Sequence, residues 1–116
     1  MASIQINDTV LNAAMDAEYN AAGFTYTLIL TDGGSAISGA SETCDFNAAS
    51  MDSTKSMVDL ASPVYFALAS GITVDGLSLS RSDGTSLGIL SESVTSKTYT
   101  AAGTYTVSDL IVKVGK

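Results

Sequence analysis

The chain contains no histidine and no tryptophan, a single cysteine, a single proline, and only five basic residues against twelve acidic ones. Each shortage closes a class of function. Without imidazole there is no general base tuned to neutral pH, no Ser-His-Asp arrangement and no histidine metal ligand. Cys44 alone can form neither an intramolecular disulfide nor a cysteine zinc site, so the fold is expected to stand on packing. Unpaired cysteine leaves the redox compartment open, and synthesis in the cytoplasm fits. The formal charge of −7 repels phosphate backbones and anionic headgroups, so neither nucleic acid nor membrane is an expected partner. The longest apolar run, Val64 to Ala69, is far below the ~20 residues that span a bilayer. Met1 to Asn7 lacks the basic-then-apolar order of a secretory signal, and the protein is expected to be soluble.

What remains is a composition that folds. The chain has 116 residues, 46% of them hydrophobic and 15% charged, which suits one core and one domain over residues 1–116. Serine and threonine are abundant, as half-buried pleated surfaces with hydroxyl-bearing outer faces require. From Asp8 to Ala22, Val10, Leu11, Ala14, Met15, Tyr19 and Ala22 recur at helical spacing, with Asn7, Asp8 or Thr9 to cap the start and Gly23 to end it. Glu18 falls within the apolar stripe; its carboxylate is expected to reach solvent past the helix edge, the alternative being a buried, hydrogen-bonded carboxylate.

From Phe24 onward the period is two. Phe24, Tyr26, Leu28 and Leu30 share one face, and Asp32-Gly33-Gly34 ends the strand in a turn. Residues 35–54 are small, polar and weakly patterned, and read as a long excursion with one short strand near Cys44. Met57, Val58 and Leu60 form a weak strand, and Val64, Phe66 and Leu68 line one face of a stronger one that Pro63 starts or places at an edge. Ile72 and Val74 alternate in one phase and Leu77 and Leu79 in the other, so Asp75-Gly76 marks a bulge or bend. A three-residue loop at Ser82-Asp83-Gly84, with Gly84 left-handed, puts Arg81 opposite Thr85, Leu79 opposite Leu87 and Leu77 opposite Ile89. Tyr99 ends in the Ala101-Ala102-Gly103 turn, Tyr105 and Val107 follow, and Leu110, Val112 and Val114 come after a phase shift at Ser108-Asp109. The expectation is a mainly β chain, a β-sandwich or jelly roll of seven to nine short strands preceded by one amphipathic helix.

The search for chemistry is mostly negative. Ser53-Thr54-Lys55-Ser56 lacks the apolar context that lowers a lysine pKa and reads as a solvated loop. Asp32-Gly33-Gly34 and Asp83-Gly84 lack the lysine and the helix start of a phosphate loop. Asp32, Asp75 and Asp83 are read as solvated turn residues; a calcium site requires all three to meet in space. Cys44 precedes Asp45, whose charge disfavours a thiolate, and is read as buried and inert. The five tyrosines, Tyr19, Tyr26, Tyr65, Tyr99 and Tyr105, are assigned to core or edge packing. No cofactor, no metal site and no catalytic residue is expected, and the chain is read as not an enzyme.

The order of elements resembles small structural proteins of tailed bacteriophages, of the capsid-decoration or cement kind. The pieces are Thr9-Val10-Leu11-Asn12-Ala13-Ala14-Met15-Asp16-Ala17 before a threonine-rich strand, then Phe46-Asn47-Ala48-Ala49-Ser50, then Ser82-Asp83-Gly84-Thr85. The last is Thr100-Ala101-Ala102-Gly103-Thr104-Tyr105-Thr106-Val107 running into Leu110-Ile111-Val112-Lys113-Val114. The resemblance implies a virion component that binds the major capsid protein lattice, as a dimer or trimer, with no catalytic residues. The acidic balance favours the outer capsid surface over contact with packaged DNA. Ile4 and Ile6, alternating with polar residues just before the helix, are candidates for a partner-contacting arm that pairs as an added strand; an ordinary first strand is the alternative. The competing readings are a neck, tail or fibre component, or a receptor- or carbohydrate-binding β-module, which requires an exposed aromatic platform.

Overall fold

Asn7 opens the first element in the structure, a computed structural model that describes residues 7–84 and 92–115. Its extended backbone (φ −75°, ψ 164°) lets its Oδ1 accept from the Val10 amide at 2.9 Å, which satisfies one of the donors that every helix start leaves over. The helix α1 spans Asp8–Tyr19, ending short of the expected Ala22. The reason is tertiary. The Tyr26 hydroxyl donates to the Glu18 carbonyl at 2.6 Å and accepts from the Ala21 amide at 3.0 Å, replacing the bonds another turn would make. The stripe therefore narrows to Leu11, Met15 and Tyr19, while Val10, Ala14 and Ala22 face solvent.

Among the described residues the chain then forms nine strands in antiparallel sheets: β1 (Tyr26–Asp32), β2 (Ser35–Cys44), β3 (Ser50–Asp52), β4 (Lys55–Asp59), β5 (Val64–Leu68), β6 (Thr73–Arg81), β7 (Glu92–Thr98), β8 (Gly103–Val107) and β9 (Ile111–Gly115). The fold is mainly β and sandwich-like, with one N-terminal helix, as expected. The sheets run β2-β1-β6-β7, β3-β4-β9 and β5-β8.

Registers tie these pieces into one object. Asp59 lies opposite Ile111, Leu60 donates to the Leu110 carbonyl, Val64 lies opposite Val107 and Leu68 opposite Gly103. Beyond the next bend Tyr99 donates to the Ile72 carbonyl, and Thr73 lies opposite Thr98. The outgoing strands β4, β5 and β6 and the returning strands β7, β8 and β9 are thus one long antiparallel ribbon, bent at Leu60–Pro63 and again at Ala69–Ile72. This accounts for the elongated body, 58 × 31 × 23 Å. The β1–β2 hairpin lies along β6, widening one end; β3 and α1 cover β4 at the other.

The core is one contiguous cluster in which Leu28, Leu30, Val58 and Val74 are fully buried and Phe66 nearly so. Phe46 joins its ends, meeting Tyr19 edge-on at 6.1 Å and Tyr26 at 6.0 Å. Gly33 and Gly34 both have positive φ and make the two-residue turn that glycine favours between β1 and β2.

Several expectations need correction. Residues 35–54 are not a long excursion: they hold the ten-residue β2 and the short β3. β2 is an edge strand whose pattern is mostly exposed, so backbone pairing with β1 holds it where side-chain burial gives little signal. Phe24 lies outside β1 and is exposed, covered on one side by the Arg81 guanidinium 4.9 Å from its ring centre. The bulge expected at Asp75-Gly76 is present, between Val74 and Gly76 in the pairing with β7. Gly84 has φ +84° and its amide donates to the Arg81 carbonyl at 3.0 Å, as the turn requires. Leu77, however, lies opposite Glu92 and not Ile89, so the strands are not joined in the register that a three-residue loop at Ser82-Asp83-Gly84 sets. Thr85, Leu87 and Ile89 lie outside the described residues.

Candidate functional site

The partner-contact candidates Ile4 and Ile6 lie outside the described residues. Each chemical candidate among the rest has a structural occupation. Lys55 is exposed at the start of β4, while Ser56 beside it is fully buried, not part of a solvated loop, and its hydroxyl bonds Asn12 Oδ1 of α1 at 2.5 Å. Cys44 is buried at the end of β2; burial first and the neighbouring Asp45 second push its thiol up to about 11, the opposite of what a nucleophile needs. The Asp75 carboxylate accepts from the Gly33 amide at 3.0 and 3.1 Å, bracing the β1–β2 turn. Asp83 sits at the far end of β6 and holds Arg81 at 2.9 Å. No three metal-ligating side chains converge among the described residues.

Glu18 is exposed, as expected, with its carboxylate 3.8 Å from Arg81. Arg81 is the fastener of this corner. It binds Asp83, reaches the Glu18 carbonyl at 3.3 Å and lies over Phe24, and the Asp83 hydrogen bond raises its pKa first of all. At the other corner Asn47 donates to the Asp59 carbonyl and carboxylate, Asn20 donates to the Asn47 carbonyl, and the Ala49 amide donates to Asp16. The Phe46 segment is therefore the pin that docks the helix. The tyrosines divide: Tyr19, Tyr26 and Tyr99 are buried, Tyr105 is half-buried with its pKa raised by burial, and Tyr65 is 61% exposed.

The surface feature that the linear sequence does not show is an edge. In the ribbon, β4 is flanked by β3 and β6 by β1, but no described strand pairs with the outer side of β7, β8 or β9. The unpaired backbone groups along such an edge are a template for another strand. At the middle, β5 and β8 form a sheet only two strands wide. Its inner row, Val64, Phe66, Leu68 and Val107, is buried; its outer row, Tyr65, Ala67, Thr104 and Thr106, is exposed and carries no charge. Only pairing information finds this, since alternation reveals which face is buried and says nothing about which side of a strand lacks a neighbour. A shallow hollow beside the β1–β2 turn, lined by Asp32, Ser35, Ile37, Ile72 and Thr73, is the other concavity of note. Against protein-family profiles, curated proteins and solved structures, the chain has no match.

Proposed function

We propose that this protein is a non-enzymatic structural component that works by strand and surface contact, and specifically a tailed-bacteriophage virion protein that decorates the outer face of a major capsid protein lattice. The observation that supports it is the elongated ribbon, 58 Å long, whose flanking strands β7 and β9 have no described strand on their outer sides. A body 58 Å long reaches more than one subunit of a lattice, and simultaneous contacts from one body gain from effective concentration. The charge of −7 keeps such a surface soluble and away from packaged nucleic acid.

The test is co-sedimentation with empty capsids of the phage that encodes the chain, compared with free capsid subunits. The full-length protein is expected to pellet with capsids and to bind free subunits far more weakly. Equal binding to both sinks the lattice reading. A second arm removes Met1 to Ile6: lost capsid binding assigns the N-terminal arm to the contact, whereas unimpaired binding removes Ile4 and Ile6 from it.

A further inference from the structure

We infer that β8 is a self-association edge, pairing antiparallel with β8 of a second copy about a two-fold axis at Tyr105. In a two-stranded antiparallel ladder every second residue points its backbone amide and carbonyl outward, so β8, whose strand partner among the described residues is β5 alone, presents backbone groups on its other side, although the Thr104 carbonyl also accepts from the Tyr99 hydroxyl at 3.2 Å. Natural edges are commonly guarded by charge. Lys97 stands in β7 and Lys113 in β9, whereas Gly103-Thr104-Tyr105-Thr106-Val107 has none, and neither does β5 behind it.

That difference favours β8 over β9 as the edge that meets a copy of itself. Antiparallel self-pairing sets the middle residue of a strand opposite its own copy. For β9 that places Lys113, whose ammonium is held by Asp52 of its own chain at 2.6 Å, against Lys113, crowding two ion pairs directly across the ladder. For β8 it places Tyr105 against Tyr105, Thr104 against Thr106 of the second copy, and Gly103 against Val107 of the second copy. The exposed face of β8 is complementary to itself reversed, since the threonines form hydroxyl pairs there, while on the other face the Tyr99 ring of the same chain already lies against Gly103. Two chains of charge −7 repel each other over most of their surface, and the uncharged row Tyr65, Ala67, Thr104 and Thr106 is where they approach at least electrostatic cost. The product is a four-stranded sheet, β5-β8-β8-β5, with a two-fold axis, the commonest symmetry of small assemblies. Five residues a side make a small interface, below the ~1,200 Å² of standard ones, so the dimer forms reversibly with concentration.

The inference does not depend on the capsid reading and is tested without capsids, by sedimentation velocity over a concentration series up to the millimolar range. The wild-type chain is expected to shift from monomer to dimer. Thr104→Glu with Thr106→Glu sets carboxylate against carboxylate in both pairs and is expected to leave a monomer throughout. Thr104→Lys with Thr106→Glu sets ammonium against carboxylate and is expected to dimerise at least as well as wild type. Thermal unfolding of all three checks that the body is intact, and because the rescued variant keeps the Thr106→Glu substitution, a folding defect at that position cannot mimic the pattern. A monomeric wild type at every concentration, a trimer, or a double-glutamate chain that dimerises like wild type overturns the inference.

Discussion

β6 and β8 are both alternating strands of the same ribbon, yet they live in different neighbourhoods. β6 lies between β1 and β7, and with β1 it buries Leu28, Leu30, Val74, Leu77 and Leu79. β8 has β5 on one side only, and of its residues Val107 alone is buried. In the enclosed region, register is held twice, by hydrogen bonds on both sides and by a large buried row, so a slip of one residue exposes the core. In the open region register is held on one side, and no described strand lies on the other. Similar alternating patterns therefore serve cohesion in one place and leave a contact surface in the other, with the neighbour making the difference.

The sharpest way to break this comparison is on β5, where adjacent residues face opposite ways. Phe66→Ala removes a side chain 1% exposed and is expected to cost about 3–5 kcal/mol in urea denaturation. Tyr65→Ala, on the outer face, is expected to stay within about 0.5 kcal/mol. Comparable losses at both positions mean that the outer face of β5 is covered. Next in size is the helix-covered end. Asn12→Ala strands the buried Ser56 hydroxyl and is expected to cost about 1–3 kcal/mol, with Ser56→Ala in the same chain restoring part of the loss. A double-mutant cycle without coupling means that the two side chains do not rely on each other.

At the outer end of β6, Gly84→Val is expected to cost about 1 kcal/mol or more, since a β-branched residue resists a φ of +84°. An unchanged denaturation midpoint removes the left-handed residue from that turn. The smallest effect is chemical. The Cys44 thiol, raised to about 11 from an ordinary 9.0, is expected to resist a disulfide reagent at pH 8 in the folded protein and to react once unfolded. The sign for stability follows from the same shift. Below pH 9.0 both states hold the proton and the cysteine adds no pH dependence; between 9.0 and about 11 the unfolded chain loses it first, so stability falls as pH rises through that window. Fast labelling of the native protein at pH 8 places Cys44 in solvent.

Much of this arrangement is legible in linear order because it follows from local chemistry. The Asn7 side chain can cap the following turn, Asp32-Gly33-Gly34 permits the backbone that a tight hairpin needs, and the alternation of Val64, Phe66 and Leu68 selects one buried face. The phase change around Asp75-Gly76 likewise announces its bulge. The cost of burying a carboxylate places Glu18 in solvent, and the structure agrees.

Other features depend on groups distant along the chain, and no local pattern encodes them. α1 stops at Tyr19 because the Tyr26 hydroxyl takes over its last bonds; β2 exists because β1 pairs with it, though its own side chains bury little; and Leu77 meets Glu92 in a register that the loop residues do not announce. The open side of β8 belongs to the same group. Alternation along a strand reports what lies above and below it, through the burial of side chains. Whether a neighbour lies beside it is a matter of backbone hydrogen bonds, which every residue but proline can make alike, so the amino-acid sequence by itself determines the faces of this ribbon and only the tertiary structure decides its edges.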